Sequence, residues 1–425
     1  LFSLPNLRSV SLQTLPLGAV PAGLAALEEL EELDVSACGL SGLPAFLSRL
    51  PLRELRAGGN AFGRLPDVVS ELPALRVLDL PVIGLAEAPA ALERLPALET
   101  LSLARNPLRA FALKLPRLRE LGLGETHLER LGGALPALES LEVYRTKLAT
   151  LPGDLGRLRR LDVTRTPLEA LPDLSGLGAL EFLDLSDTPL AALPPSVGRL
   201  ASLRELRLRR TPVAALPPEL GALVRLERLE ADGVPLEGLP ATLGGLRSLQ
   251  ALHLSGARIP ALPEGLFGLP RLHSVFAQHC GLETLPQDLY AAATLVHLGV
   301  SGNRLRALPE AVCSLANLAF LYLSNNPLEA LPESVGALAA LVDLRMSGTA
   351  VRRLPESFAR LASLRQLWLD RVPLEDWDAA TALLARLPKL ESVKLRDNGL
   401  DTDAQARIRA RLPRARLTFE ETATP

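Results

Sequence analysis

The sequence predicts an α/β solenoid, in which similar units stack in one direction and each gives one short strand to a parallel sheet. Leucines recur as Leu-x-x-Leu-x-Leu along almost all of the 425 residues. Hydrophobic residues make up 48% of the chain and aromatic ones only 4%, so leucine rather than ring clusters must supply the buried surface. Gly 31 and Pro 36 are spread throughout, as a chain that turns at every unit requires.

The phrase begins at Leu7, Leu30, Leu52, Leu75, Leu98, Leu118, Leu138, Leu158 and Leu180, then at Leu203, Leu226, Leu249, Leu272, Leu295, Leu318, Leu341, Leu364 and Leu390. The mean step is roughly 22.5 residues, a period of stacked repeats rather than of a globular core. Leu183 and Leu185 alternate as in a strand with one buried face, whereas Leu190, Leu193, Val197 and Leu200 step by three and four, as in a short helical return. Each unit can bury its leucines only against its neighbours, at about 1.5–3 kcal/mol for each fully buried Leu. Leu-Pro pairs such as Leu216-Pro217 and Leu239-Pro240 fix the backbone where the return begins and no sheet hydrogen bond is wanted.

On these residues the chain resembles the leucine-rich-repeat family, specifically its 23-residue Leu-Pro type, over residues 1–419. The stretch Leu98-Glu99-Thr100-Leu101-Ser102-Leu103-Ala104-Arg105-Asn106-Pro107-Leu108 is similar to repeats of bacterial type III effectors, and the type also occurs in intracellular scaffold proteins. The resemblance implies a right-handed horseshoe with a parallel concave β-sheet and short helical, 3-10 or irregular convex segments. It also implies a binding module rather than an enzyme, and as an alternative the substrate-recognition part of an effector such as an E3 ubiquitin ligase whose catalytic domain lies elsewhere.

The family's Asn, whose amide ties adjacent turns, stands at 60, 106, 303, 326 and 398 and is replaced by Thr at 126, 146, 166, 188, 211 and 349. Thr keeps one hydroxyl for a backbone hydrogen bond, which predicts a thinned polar ladder. At Ile83, Val234, Ala257 and Val372 the freed carbonyls must be met by water or by the next turn. Units starting at Leu98, Leu118 and Leu138 are shorter, predicting less material on the return side and a local change of curvature. Leu1, Leu4 and Leu7 match the tail of a preceding unit. Residues 375–419 read as a C-terminal cap, with Asp378 starting one helix through about Arg386, Asp401 or Thr402 starting another to Leu412, and 415–419 adding a strand. Residues 420–425 read as a disordered tail. A chain starting at Leu1 with Met346 as its one methionine reads as a fragment.

Acids and bases nearly cancel at a net charge of −2, so no global field favours nucleic acid, and no apolar run reaches membrane-spanning length. Three cysteines and no Asn-x-Ser/Thr sequon fit a reducing cytoplasmic setting, with delivery into a host cell if the chain is an effector. Phosphate-loop, zincin, nucleophile-elbow and Cys-x-x-Cys motifs are absent, so no cofactor, metal or catalytic residue is predicted. Cys38 and Cys280 fall at the ladder position as small core residues, and Cys313, in a return segment, is expected to be the more accessible thiol.

Function is therefore sought on the strand face, where the third, fifth and seventh residues of each unit point outward and the eighth lies at the edge. Phe276, Phe320, Tyr322 and Trp368 gather there with His253, His279 and His297, and Arg345 falls between Tyr322 and Trp368. Rings and Arg dominate binding hot spots because they desolvate large areas while keeping a polar handle. The plainer reading is that the rings pair across the sheet, and a metal held by the three histidines is disfavoured because they occupy different positions in three successive units. Arg145, Arg160, Arg165, Arg207, Arg209 and Arg210 interleave with Glu142, Asp162, Asp184 and Asp187, as either a solvated face or an orienting patch. The sequence thus predicts a monomer that grips a protein partner through His253, Phe276, His279, His297, Phe320, Tyr322, Arg345 and Trp368, with Arg207 and Arg210 as orienting charges.

Overall fold

Leucines four residues into each unit, spaced by one repeat, line up side by side and pull the strands into register. The computed structural model describes residues 6–153 and 155–419. The Leu1–Leu4 reading and the tail at 420–425 lie outside the described residues. The chain forms two compact units, one ending at Leu203 and the other starting at Arg204.

In the first unit, β1 (Ser9–Ser11), β2 (Glu32–Asp34), β3 (Glu54–Arg56), β4 (Val77–Asp79) and β5 (Thr100–Ser102) pair in parallel with their sequence neighbours. The short repeats follow, with β6 (Ala110–Phe111), β7 (Glu120–Gly122), β8 (Arg130–Leu131) and β9 (Ser140–Glu142), and then β10 (Arg160–Asp162) and β11 (Phe182–Asp184). β5, β7, β9, β10 and β11 continue the parallel sheet. β6 and β8 form a separate two-stranded ladder on the return side. Three residues fewer per repeat leave no room for a 3-10 turn there, and the chain crosses in extended form instead.

The second unit carries β12 (Glu205–Arg207), β13 (Arg228–Glu230), β14 (Ala251–His253), β15 (Ser274–Phe276), β16 (His297–Gly299), β17 (Phe320–Tyr322), β18 (Asp343–Arg345), β19 (Gln366–Trp368), β20 (Ser392–Lys394) and β21 (Arg416–Thr418). Each is parallel to the next and in the same register, so that Leu206, Leu229, Leu252, Val275, Leu298, Leu321, Leu344, Leu367, Val393 and Leu417 form one row. All but Leu417 are buried. The expected α/β solenoid with a parallel sheet is what the chain forms.

Many returns are five-residue 3-10 segments such as Pro195–Arg199, Pro218–Ala222 and Glu310–Ser314, each entered from an extended proline at Pro194, Pro217 or Pro309. The third residue of each turns inward: Val197, Leu220 and Val312 are buried. Cys313 is buried beside Val312 at 7% exposure, which corrects the expectation of an accessible thiol. Neighbouring 3-10 segments pack flank to flank and cover it.

The polar ladder follows the Asn-to-Thr substitution. Asn303 accepts from the backbone N–H of Cys280 and Leu282 at 2.9 and 3.0 Å and donates to the carbonyls of Ala277 and Val300 at 2.7 Å each. Thr188 donates only to Leu185 O at 2.7 Å, within its own turn. Where the residue is apolar, the next turn often supplies the partner: Leu80 O is met by Asn106, Leu369 O by Asn398 and Leu254 O by the thiol of Cys280. Cys38 likewise donates to Leu12 O at 3.0 Å, so both ladder cysteines are structural.

The cap forms α1 (Trp377–Leu384) and α2 (Thr402–Arg411), followed by β21. Asp401 caps α2 by accepting from Ala404 N at 2.7 Å, as its position predicts. For α1 the cap is Asp376, which accepts from Ala379 N at 2.8 Å, and not Asp378. Asp378 sits in the first turn instead, where its carboxylate favours the helix N-terminus and pairs with Arg411 in the last turn of α2 at 2.6 Å.

Candidate functional site

Side chains two apart on a strand share a face, and neighbouring parallel strands lie about 4.8 Å apart, so this sheet displays two adjacent columns of outward residues. In the second unit one column runs His253, Phe276, Gly299, Tyr322, Arg345, Trp368 and Lys394, and beside it run Ser274, His297, Phe320 and Asp343.

Four of these rings form a continuous diagonal row. The His253 and Phe276 ring centres are 4.9 Å apart, Phe276 and His297 6.3 Å, and His297 and Phe320 4.4 Å with their planes parallel to within 3°. Gly299 makes this possible, because a β-carbon there would stand 2.7 Å from Phe276 Cδ1. Burial lowers the His297 pKa, so its ring stacks as the neutral imidazole at neutral pH.

A second ladder continues the row. The Arg345 guanidinium carbon lies 4.3 Å from the Tyr322 ring centre and 4.2 Å from that of Trp368, and Lys394 Nζ lies 3.3 Å from the other side of Trp368. Alternating ring and cation is favourable because each cation meets the negative face of a ring. Asp343, with a nearly buried side chain, accepts from Arg345 Nε at 3.0 Å and Nη2 at 2.8 Å, which fixes the guanidinium between the rings. Burial raises the Tyr322 phenol pKa and Arg345 opposes that shift, so the phenol keeps its proton at neutral pH.

The sequence places the other candidates on the same face, but not in these rows. Arg207 meets Glu205 at 2.6 Å and Glu230 at 3.5 Å, and the nearly buried Glu230 also takes Arg209 at 2.9 Å and Arg228 at 3.5 Å. Arg207 therefore belongs to an internal ion network. Arg210 and His279 occupy the eighth position with φ of 54° and 56°, at the exposed turn that ends the strand. Gly302 lacks a β-carbon where the His279 ring lies. In the first unit the arginines are also paired: Arg145 with Glu125, Arg160 with Glu142 and Arg165 with Asp187, at 3.8, 3.4 and 3.3 Å.

His253 Nδ1 lies 3.7 Å from Asp232 Oδ2. Burial pushes the Asp232 carboxyl up, but bonds from His253 and from the Ser255 N–H outweigh it and hold the carboxyl below its ordinary value. His253, His279 and His297 do not converge: among the described residues no group of three His, Cys, Asp or Glu is placed to hold a metal ion. No helix among them is long and apolar enough to cross a membrane.

Sequence reasoning missed Asp343 and Lys394 as members of the site. Both were readable: Asp343 precedes Arg345 by two on one strand, and Lys394 follows Trp368 in the fifth-position column.

The sequence matches the family described as leucine-rich repeat region over residues 165–254 and 278–412, more than half of the chain. No curated protein matches the sequence. Among solved structures, a leucine-rich-repeat protein of Leptospira interrogans is similar with a TM-score of 0.73 at 23% identity, over 98% of this chain and 97% of that one. The Arabidopsis receptor kinase HAESA, solved with the peptide hormone IDA and the co-receptor SERK1, gives 0.58 at 21% identity, over 100% and 80%. Drosophila Toll, solved in the Toll–Spätzle complex, gives 0.68 at 19% identity, over 92% and 57%. At these identities the likeness shows the fold alone.

Proposed function

The chain belongs to the leucine-rich-repeat family, and from that premise we propose that it is a non-catalytic module that binds a protein partner on the strand face of its second unit. Members of the family commonly serve as protein-interaction modules, since a stack of repeats presents a long continuous surface. One observation carries the reading: Arg345, clamped by Asp343, is held between Tyr322 and Trp368 in a row that runs back through Phe320, His297, Phe276 and His253.

These side chains are half-buried against one another, so each has lost much of its freedom before any partner arrives, which lowers the entropic cost of association. They bring large apolar faces, and the phenol, imidazoles and guanidinium can still exchange hydrogen bonds. Pairing across the sheet and binding a partner are thus compatible, because the pairing builds the preorganised surface. The Arabidopsis and Drosophila relatives, seen with a peptide hormone and with Spätzle, support a proteinaceous ligand.

The test is capture of binding proteins by the wild type and by a Y322A/W368A variant in parallel, followed by titration of whatever the wild type retains. Loss of about 2 kcal/mol or more with unchanged folding supports the assignment. Equal affinity of both proteins overturns it.

A further inference from the structure

Large rings recur on the strand face of the second unit at a fixed interval. Along the register-matched column Phe276, Gly299, Tyr322, Arg345 and Trp368, every second strand supplies one. Two strand spacings place successive rings of this column about 9.6 Å apart. Between the first pair stands Gly299, and Phe276 leans over it, since a β-carbon there would lie 2.7 Å from Phe276 Cδ1. Between the second pair lies the flat Arg345 guanidinium, 4.3 Å from the Tyr322 ring centre and 4.2 Å from that of Trp368. Arg345 covers one face of Tyr322, and among the described residues no ring or cation stacks on the face turned toward Gly299.

The polar groups left over on this strip can all donate. Asp343 takes Nε and Nη2 of Arg345 at 3.0 and 2.8 Å and cancels its charge. Arg345 Nη1, the Tyr322 hydroxyl and the Trp368 indole N–H have no hydrogen-bond partner among the described residues. The strip therefore suits an occupant that is uncharged, apolar in outline and rich in acceptors. A polyproline-II segment is all three: its carbonyls make no internal hydrogen bond, its prolines lack an N–H, and three residues advance it by about 9.3 Å. Every third residue thus keeps step with every second strand. An extended β-segment shows the same face every two residues, about 6.6 Å, and falls out of step. Its own N–H groups would also meet donors. The stiffness of polyproline II further limits the entropy lost on docking.

Resting on the reading of this face as the partner site, we propose that the docking part of the partner is a proline-rich segment in the polyproline-II conformation. It lies across the strands with one proline over Gly299, between Phe276 and Tyr322. Another, three residues on, lies over Arg345, between Tyr322 and Trp368. The experiment titrates the full chain, by fluorescence anisotropy, with a dye-labelled oligoproline of about ten residues, which at about 3.1 Å per residue spans all three rings. A labelled peptide of the same length, alternating alanine and serine, is titrated in parallel. The expected result is saturable binding of the oligoproline, about tenfold or more tighter than that of the control peptide. Gly299→Ala and Y322A/W368A should each weaken it by about tenfold or more, and Y322F, which keeps the ring and loses one donor, by about threefold or more. Tyr290→Ala, at a tyrosine 66% exposed on a return segment, should leave it unchanged. Equal binding of the two peptides, or equal oligoproline binding by wild type and the folded ring variants, overturns the proposal. Should the oligoproline fail while the captured protein still loses affinity for Y322A/W368A, the proline assignment falls and the partner face stands. Undiminished capture by that variant removes both.

Discussion

Asp343 holds Arg345 through two hydrogen bonds while lying nearly buried itself, so the guanidinium between two aromatic rings is anchored by a carboxylate two residues back on the same strand. Removing the arginine strands a desolvated negative charge. Arg345→Ala and Asp343→Ala should each destabilise the second unit, and the double variant should lose less than the sum. A coupling of about 1–3 kcal/mol is expected from a denaturation cycle, and strict additivity would show the pair to be incidental.

The ladder predicts unequal costs for similar-looking changes. Asn303→Ala removes the partner of two N–H groups and two carbonyls and should cost about 3 kcal/mol or more, whereas Thr188→Val removes one bond within its own turn and should cost about 1 kcal/mol. Urea unfolding of the two variants makes the comparison, and similar losses would contradict it.

All three thiols are buried, and burial raises the Cys280 pKa to about 11 and raises that of Cys313 as well. Because the thiolate is the reactive form, a colorimetric thiol reagent at pH 8 should titrate none of the three in the native protein and all of them in denaturant. Fast reaction of Cys313 in the native state would place it outside the core.

How much of this was legible depends on how far each contact reaches along the chain. The leucine rows, the Asn-to-Thr thinning and the Asp401 cap are fixed by spacing within one or two repeats, and the sequence states that spacing directly. The burial of Cys313 was not legible, because it is set by how successive 3-10 segments lie against each other. Asp376 and Asp378 are equally good caps on paper, and the structure divides their roles between the end of α1 and Arg411 across the cap. Tyr322, Arg345 and Trp368 could be placed in one column from the repeat alignment. That Arg207 is absorbed by Glu205 and Glu230 could not, because rotamers decide which neighbour a long side chain reaches.

His297 gives the strand face a dependence on pH. Its folded pKa lies below the unfolded value of about 6.5, so below that pH the unfolded chain binds the extra proton more readily. Stability from this group is complete above about pH 6.5 and declines as pH falls through the window down to its folded pKa. His297→Phe keeps a ring in the stack and should flatten that part of the melting-temperature profile. An unchanged profile would locate the dependence elsewhere.

The most direct test of the central claim compares wild type with Y322A/W368A in affinity for the captured protein and in thermal unfolding, on the same preparations. The account predicts that binding weakens by about 2 kcal/mol or more while the unfolding transition stays close to that of the wild type. Undiminished affinity in a folded variant would contradict it.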